Sequence, residues 1–511
     1  MPEAHSPLRI VLLLRSLGYI RLFDPVVRSL LARGHSVHLL NERSQYTERE
    51  ADWLAEMSDL AGFSWTLTTS LYEGPWSPMA SVLRRFGDYL YFIDPRFIGP
   101  SSLVSRAEAR AHSRLRRLME VPFMRRPPVL RLFARLIDAA ERSMPENAAF
   151  EKELRALAPD VLVVSPHLMP GGVHSEYIRF ARRHGIPSCI CVASWDNLSS
   201  KQQLREMPDR LVVWNSFQAE EAKRLHGVDG DRIVITGAPV FDQWFERLAT
   251  PRETFCARVG LEPGTPYLLF VAGALFRGEV TEAEFVRDTW IPAIRGDERL
   301  ADVQLLIRPH PRRVAQWAEV ADNLGPHVAV WPRAEASMAM DEETRADYFD
   351  SMFHSAGVVG INTTAMIEAA IVGRPVLTVF HEAFTDSQAG AYHFNYLLDV
   401  GGGVVSGAET FAEHLDQLAA ILAGEDPTVG RRENFVREFV RPHGLDNPAA
   451  PRVVAAIEGT AAIATVPESR PAAHLLPLRL GLKALMVVVR IRLARWQRAN
   501  LPSGADDERA L

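Results

Sequence analysis

Short, unbroken apolar segments alternate with segments of helical periodicity along most of the chain. LRIVLLL (8–14) has the character of a buried strand, YIRLFDPVVRSLLARGH (19–35) that of a helix, and SVHLL (36–40) that of a second strand. A strand, a crossover helix and another strand form a unit with parallel pairing. The pattern returns from APDVLVVSP (158–166) onward and again from PYLLFVAGALF (266–276). The sequence therefore predicts an α/β fold built on parallel sheets.

Two such series imply two domains, and 511 residues are more than one ordinary domain needs. We predict a first Rossmann-like domain over residues 1–245, with a helical insertion at about 71–150. TGAPVFDQW (236–244) has the character of a hinge. A second Rossmann-like domain is expected over 246–460, and a linker with a basic amphipathic tail over 461–511.

Composition narrows the class of protein. A net charge of -6 with 23% charged residues gives no reason to expect nucleic acid as a partner. The three cysteines, Cys189, Cys191 and Cys256, lack the spacing of a metal site and are interpreted as core thiols, which suits a reducing cytosol. The N-terminal apolar run is better explained as a strand than as a signal peptide, and no segment reaches the ~18 apolar residues of a spanning helix. We expect a cytoplasmic protein.

The insertion is rich in arginine. Two interpretations stay open: a solvated helix face, or a surface for an anionic acceptor or lipid headgroup. The basic residues in question are Arg84, Arg85, Arg116, Arg117, Arg125, Arg126, Arg131 and Arg135.

The tail contains LLPLRLGLKALMVVVRIRLARWQRA (475–499). Its apolar residues fall on one helical face, flanked by Arg479, Lys483 and Arg490, and the pattern suits a helix on the inner surface of a membrane. A helix packed on the protein body, or on a partner, explains it equally well. The apolar face comprises Leu482, Leu485, Met486, Val489, Leu493 and Trp496.

The most informative stretch is GVVGINTTAMIEAAIVGRPVLTVF (357–380), a strand, a helix and a strand. Asn362, Thr363 and Thr364 fall at the start of the predicted helix, where free N–H groups receive phosphates. Glu368 follows Thr364 by four residues and shares its helix face, where a carboxylate accepts hydrogen bonds from a ribose diol. Ordinary N-capping with a surface glutamate is the alternative. We predict a nucleotide-donor site.

A second candidate phosphate-binding segment is LLIRPHPRR (305–313). Arg308, His310 and Arg312 alternate just beyond a predicted strand, so an extended chain would direct all three to one side. Cationic and proton-donating groups there suit a diphosphate leaving group. A structural histidine is the alternative.

Two further segments follow predicted strands. AGALFRG (272–278) contains Gly273, at which backbone can approach a donor closely. SWDNLSSK (194–201) contains Asp196, a candidate general base, and Lys201, a candidate anion partner, although Asp-Asn also makes simple turns. No GxGxxG fingerprint or GxxxxGK[ST] phosphate loop is present.

Together these segments resemble the GT-B fold of nucleotide-sugar glycosyltransferases. GINTTAMIEAAIVGRPVLTV looks like their donor-binding segment, with Glu368 at the position that holds the ribose. VITGAPVFD resembles their interdomain GxPxxD segment, and SLLARGHSVHLL resembles the end of their first helix. The resemblance covers roughly residues 8–460. It implies two Rossmann-like domains facing a cleft.

Within that fold, SWDNLSSK and IRPHP are similar to segments of teichoic-acid glycerophosphotransferases and related capsule polysaccharide transferases. In those proteins a Trp-His pair is followed five residues later by Lys. Here Asp196 occupies the histidine position and Lys201 the lysine position. The resemblance implies that Asp196 deprotonates the acceptor and that His310 supports the leaving phosphate.

Departures from the pattern restrict the mechanism. Retaining members commonly carry a glutamate where Gly360 stands here, which argues against that group. Many inverting members place a histidine after the turn that follows the first strand. Here RSLGYIRLF offers Gly18, an expected acceptor- or anion-binding backbone position, and no histidine. Asp196, Asp24 and His167 remain as candidate bases.

We therefore expect a metal-independent transferase without a resident cofactor. It would move a sugar, or a polyol phosphate, from a nucleotide-activated donor to a hydroxyl acceptor, lipid-linked in one version, for surface polysaccharide or glycolipid synthesis. The first alternative is a UDP-GlcNAc 2-epimerase, although the His-Val-Glu-Ala-Gly segment of those enzymes is absent. The second is a nucleotide-binding protein of the same fold without activity.

Overall fold

The computed structural model describes residues 6–42, 47–68, 76–97, 99, 101–144, 147–166, 172, 174–273, 280–333, 342–468 and 476–484, and of residues 49, 102 and 312 the backbone only. Two separate parallel sheets organise this part of the chain, one in each half of the sequence. The prediction of two Rossmann-like units is confirmed.

Seven strands form the first sheet, in the order β3-β2-β1-β4-β5-β6-β7. All neighbouring pairs are parallel. The bounds are β1 (Arg9–Leu14), β2 (Ser36–Asn41), β3 (Phe63–Leu67), β4 (Val161–Ser165), β5 (Ser188–Cys191), β6 (Arg210–Val213) and β7 (Ile233–Ile235).

Six strands form the second sheet, in the order β10-β9-β8-β11-β12-β13, again all parallel. The bounds are β8 (Tyr267–Val271), β9 (Gln304–Arg308), β10 (Val328–Val330), β11 (Gly357–Gly360), β12 (Val376–Val379) and β13 (Val405–Ala408).

Helices cover both faces of each sheet. The first half holds α1 (Asp24–Ala32), α2 (Glu48–Ser58), α3 (Ser77–Phe92), α4 (Ser101–Arg110), α5 (Ser113–Leu118), α6 (Pro127–Ser143), α7 (Ala148–Leu157), α8 (Ser175–His184), α9 (Asn197–Ser200), α10 (Ser216–His226) and α11 (Asp242–Glu246). The second holds α12 (Arg252–Val259), α13 (Glu282–Phe285), α14 (Ile291–Arg295), α15 (Val314–Ala318), α16 (Glu342–Phe353), α17 (Ala365–Ile371), α18 (Asn395–Asp399), α19 (Phe411–Leu422), α20 (Val429–Phe435) and α21 (Ala450–Ala461).

The central strands are apolar on both sides because both faces of each sheet are covered. In β1, Ile10 and Leu12 join one apolar cluster, whereas Val11 and Leu13 join another on the opposite face. This is why the strands read as continuous apolar runs and not as alternating patterns.

The predicted helical insertion is present as α3–α6 and has an apolar core of its own. A buried ionic network ties it to α8 of the first domain. Glu141 accepts from Arg84 at 3.3 Å and from Arg179 at 3.0 Å, and lies 3.5 Å from Arg205. Arg84 also pairs with Glu176. The expectation that Arg84 belongs to a solvated or ligand-binding surface is wrong, because its side chain is buried and paired on the carboxylates that anchor the insertion.

The segment predicted as a hinge is held at one carboxylate. Asp242 accepts from Arg441 at 3.0 Å and from the backbone N–H groups of Ala449 and Ala450 at 2.9 and 2.8 Å. From there α21 returns to the first sheet, where Val453 and Ile457 join its core. The chain thus crosses between the two domains twice.

Of the tail, residues 476–484 are described and are helical. Leu482 lies within them, while the remaining predicted apolar positions from Leu485 to Trp496 lie outside the described residues. Within the described chain, no helix combines the length and the apolar character needed to cross a membrane.

Candidate functional site

The two domains meet where the carboxyl ends of β5 and β11 face each other. Trp195, which follows β5, donates its indole N–H to the Thr364 hydroxyl of the second domain at 3.2 Å. Its ring also lies edge-on to the imidazole of His393, with centroids 4.7 Å apart. Ligands bind at the carboxyl ends of strands in such sheets, so this contact line is the candidate site.

Polar side chains surround the buried carboxylate of Glu368 on α17. The Tyr348 hydroxyl donates to its carboxylate at 2.5 Å, and the Arg308 guanidinium lies 4.9 Å from the centre of the Tyr348 ring. Burial raises the pKa of Glu368, while the Tyr348 bond and the charges of Arg21 and Arg308 oppose the rise. Because Arg21 belongs to the first domain, its field reaches Glu368 across the interface. The structure therefore brings Arg308 and Glu368 together.

Only one of the two threonines at the start of α17 caps the helix. The Thr363 hydroxyl accepts from the Ala365 N–H at 3.4 Å. Thr364 makes no such bond, since its side chain is turned to the Trp195 indole instead. Ordinary N-capping, the alternative to a ligand site, therefore does not account for Thr364, whose oxygen accepts from a tertiary partner.

The cationic segment after β9 bends sooner than predicted. Arg308 is the last residue of β9, and a 3-10 helix already begins at Pro311. His310 is half-buried between them, and its carbonyl accepts from the Arg313 N–H at 2.8 Å. The extended alternation of Arg308, His310 and Arg312 is therefore wrong beyond His310. The Arg312 side chain lies outside the described part of the chain.

Asp196 and Lys201 do meet, as an ion pair. Lys201 Nζ lies 2.9 Å from Asp196 Oδ2, and the Ser200 hydroxyl donates to the same oxygen at 2.8 Å. Burial alone would raise the pKa of Asp196, but Lys201 and His393 outweigh it and lower the pKa below its ordinary value. A carboxylate held this way is a weak proton acceptor.

His393 is a residue that the sequence analysis missed. Its Nε2 lies 3.4 Å from the Asn362 amide nitrogen, and among the described residues nothing hydrogen-bonds to its buried Nδ1. Burial lowers its pKa to about 4, against the pull of Asp196, so the imidazole is neutral at pH 7. It lies in a loop before α18, in YHFN, and only its proximity to Trp195 and Asn362 distinguishes it.

Gly273 lies directly after β8, beside Asn362. Its N–H donates to the Glu282 carboxylate at 2.6 Å, and a side chain in its place would come within 3.3 Å of the Asn362 carbonyl. Burial raises the pKa of Glu282 to about 7, while the Gly273 N–H opposes the rise. Asn362 in turn donates to the Ser387 carbonyl at 2.5 Å. Gly273, Asn362 and His393 therefore line one continuous edge.

In the described part of the chain, the predicted site residues that follow β1 make no hydrogen bond or ion pair with Gly273, Asn362 or His393. Gly18 lies in the 3-10 helix Leu17–Leu22, where an added Cβ would come 3.1 Å from the Glu50 carboxylate. Asp24 accepts from Arg28 at 2.9 Å and from the Trp53 indole at 2.7 Å, a structural arrangement inside the first domain. His167 lies outside the described residues. No metal-binding group of His, Cys, Asp and Glu side chains occurs in the portion that is described.

No family model and no curated protein matches the chain. A glycosyltransferase from Rickettsia africae ESF-5 matches with a TM-score of 0.51 at 10% identity, over 90% of this chain and 100% of that one. The chain has the GT-B fold. A UDP-GlcNAc 2-epimerase from Neisseria meningitidis bound to UDP-GlcNAc is also similar, with a TM-score of 0.46 at 12% identity, over 87% of this chain and 98% of that one. WaaG, a glycosyltransferase involved in lipopolysaccharide biosynthesis, matches with a TM-score of 0.42 at 14% identity, over 88% of this chain and 100% of that one.

The predicted GT-B architecture is thus confirmed as a fold. The similarity of two segments to teichoic-acid glycerophosphotransferases stays a prediction. Chemically, this GT-B cleft holds a neutral imidazole beside a carboxylate at one end and a cluster of Glu368, Tyr348 and Arg308 at the other. The first end is suited to accepting a proton, and the second to binding hydroxyls and phosphate oxygens.

Proposed function

We propose that this protein transfers a glycosyl group, or a polyol phosphate, from a nucleotide-activated donor to a hydroxyl acceptor. The donor would bind the second domain and the acceptor the first, and the product would belong to a surface polysaccharide or a glycolipid. Arg308, Glu368 and the Gly273 backbone are assigned to the donor, with Thr363 and His310 at its phosphates.

One observation carries the proposal: the buried side chains of Glu368 and Arg308, with the half-buried Tyr348 between them, lie within reach of the charge of Arg21 of the first domain. Burying a carboxylate and a guanidinium is costly unless partners are close. Placed at the strand ends of a sheet, the pair supplies an acceptor for ribose hydroxyls and a cation for phosphate oxygens.

The reacting end would use His393. The proton of the acceptor hydroxyl moves to the imidazole while the acceptor oxygen bonds to the transferred atom, which is the anomeric carbon of a sugar or the phosphorus of a polyol phosphate. The bond from that atom to the phosphate oxygen of the nucleotide breaks, and the nucleotide leaves as its phosphate anion. Asp196 stabilises the imidazolium that forms, and Lys201 holds Asp196 ionised. This assignment moves the role of base from Asp196 to His393, because the lowered pKa of Asp196 makes it the poorer proton acceptor.

Nucleotide binding is the first test. Purified protein is screened by thermal shift against UDP, GDP, CDP, CMP, ADP and dTDP. Binding to the folded state alone stabilises it, by about 2.7 kcal/mol at a hundredfold excess over Kd. We expect one nucleotide to raise the melting temperature of the wild type and of Glu433→Gln, a surface control on α20, but not of Glu368→Gln. The absence of a shift with every nucleotide would refute the donor site.

Turnover distinguishes the proposed transferase from its alternatives. The protein is incubated with sugars activated on the identified nucleotide, with and without hydroxyl acceptors, and products are followed by mass spectrometry and NMR. A transferase releases nucleotide in step with acceptor modification. Interconversion of the donor sugar without acceptor would identify an epimerase, and binding without any product would identify a nucleotide-binding protein.

A further inference from the structure

Exposed apolar side chains concentrate on one part of the insertion. Val121, Phe123, Leu132 and Leu136 are 48%, 55%, 56% and 53% exposed. All lie in the 3-10 helix Pro122–Arg125, directly before it, or in α6, and these two helices contact each other. Soluble proteins seldom leave such side chains grouped at their surface without a use for them.

The orientation of α6 explains why these leucines face outward. Leu130 and Ile137 point into the core of the insertion. At 100° per residue, Leu132 and Leu136 fall on the opposite side, one turn apart. The core of the insertion is already closed without them, so they are not needed for its packing.

Arginines surround this apolar ridge. Residues 113–136 contain seven arginines and one acidic residue, Glu120, in a chain whose net charge is -6. Arg131 and Arg135 flank Leu132 on the same helix, and the Arg126 guanidinium lies 5.3 Å from the centre of the Phe123 ring. The seven are Arg114, Arg116, Arg117, Arg125, Arg126, Arg131 and Arg135.

These arginines differ from others in the same insertion. Arg84, for example, forms an ion pair with the buried carboxylate of Glu141. Within the described residues, none of the seven lies within ion-pair distance of a carboxylate, and the bonds of Arg125 and Arg131 go to the backbone carbonyls of Met119 and Pro127. The seven are therefore not neutralised by direct ion pairs, and Arg131 acts on a carboxylate, that of Asp94, only at longer range.

We propose that the insertion face, residues 113–136, docks on a lipid bilayer that carries anionic lipids. Exposed leucines and a phenylalanine enter the headgroup region, while the arginines pair with lipid phosphates. Charge favours this occupant over a second copy of the chain, because two copies of this face would bring fourteen arginines together. The insertion also contacts the candidate site: Arg106 on α4 donates to the Ser200 carbonyl at 2.7 Å, beside Asp196 and Lys201.

The test is sedimentation of the full chain with vesicles of phosphatidylcholine alone and with about one-third phosphatidylglycerol. Two double variants address the face: Leu132→Asn with Leu136→Asn, and Arg131→Gln with Arg135→Gln. Matched controls are Leu248→Asn, at a side chain 90% exposed, and Arg333→Gln, on the surface of the second domain. Because every altered side chain is exposed, thermal melting should be unchanged.

We expect the wild type to bind anionic vesicles only, and salt to weaken this binding. Binding should be at least about tenfold weaker for either face variant and unchanged for both controls. The proposal would be overturned in favour of the tail if the face variants bound as tightly as wild type and binding were lost in Arg490→Gln, Arg492→Gln and Arg495→Gln. It would also be overturned by a wild type that ignores vesicles but forms a dimer that Leu132→Asn with Leu136→Asn dissociates. Neither outcome depends on the donor chemistry.

Discussion

At the scale of single residues, surroundings decide chemistry more than residue type does. Asp196 is a carboxylate whose ion pair with Lys201 keeps it ionised, and His393 is an imidazole whose burial keeps it neutral. The first effect comes from a charge five residues along the chain, and the second comes from burial. In water the pKa values of the two side chains would lie in their ordinary ranges.

This coupling gives a pH-dependence to measure. Lys201 lowers the pKa of both Asp196 and His393. In Lys201→Met, both pKa values should rise, so the acid limb of the kcat/KM profile should move toward higher pH from its wild-type position near 4. Lys152→Met, at an exposed lysine on α7, should leave the profile unchanged. An acid limb that stays in place in Lys201→Met would exclude His393 as the base.

At the scale of elements, the insertion is anchored by charge and not by apolar contact alone. Glu141 on α6 lies among three arginines from three different segments, one of which is α8 of the first domain. A buried carboxylate in this position fixes how α6 packs on the first domain.

Removing that carboxylate should be strongly destabilising. Glu141→Gln leaves buried guanidinium groups short of a counter-charge, a change that typically costs about 3–5 kcal/mol. Asp138→Asn on the same helix breaks only the surface pair with Arg142, 3.1 Å apart, and should cost about 0–1 kcal/mol. Urea unfolding followed by far-UV circular dichroism compares the two. Equal costs would mean that the network contributes no more than a surface pair.

At the scale of the whole molecule, the two domains are joined by polar contacts as well as by the hinge. Glu221 on α10 accepts from the Tyr396 hydroxyl of the second domain at 2.6 Å. Burial raises the pKa of Glu221 to about 7, against the hydrogen bonds from Tyr396 and Ser199. The domain contact therefore includes a group that titrates near neutral pH.

The sign of its effect on stability follows from proton counting. Between pH 4.5 and about 7 the unfolded chain ionises Glu221 while the folded chain keeps it protonated, so folded stability falls as pH rises. Above about pH 7 this loss of folding free energy is complete and amounts to at most about 3 kcal/mol. Glu221→Gln should therefore raise the melting temperature at pH 8 and leave it unchanged at pH 4. Its exposed neighbour gives the control Glu220→Gln, which should change neither. A Glu221→Gln protein no more stable than wild type at pH 8 would contradict the assignment.

The chain's own pattern was enough to predict the architecture. Continuous apolar runs separated by segments of helical periodicity predict parallel sheets covered by helices on both faces. This signal is local and repeated, so it can be recognised without knowing which distant residues are in contact. The helical insertion was predicted for the same reason. Glu368 and Arg308 were also within reach, because each directly follows or adjoins a predicted strand end.

Only the tertiary structure decided which side chains from distant parts of the chain contact a given residue. Thr364 forgoes capping because Trp195, 169 residues away, donates to it. Arg84 is buried because Glu141 and Glu176 surround it, and His393 becomes a candidate base because folding places it beside Trp195 and Asp196. Periodicity records which face of an element is apolar, but it carries no information about which distant side chain arrives at a given atom. Hydrogen bonding, charge and burial at that atom then set its chemistry.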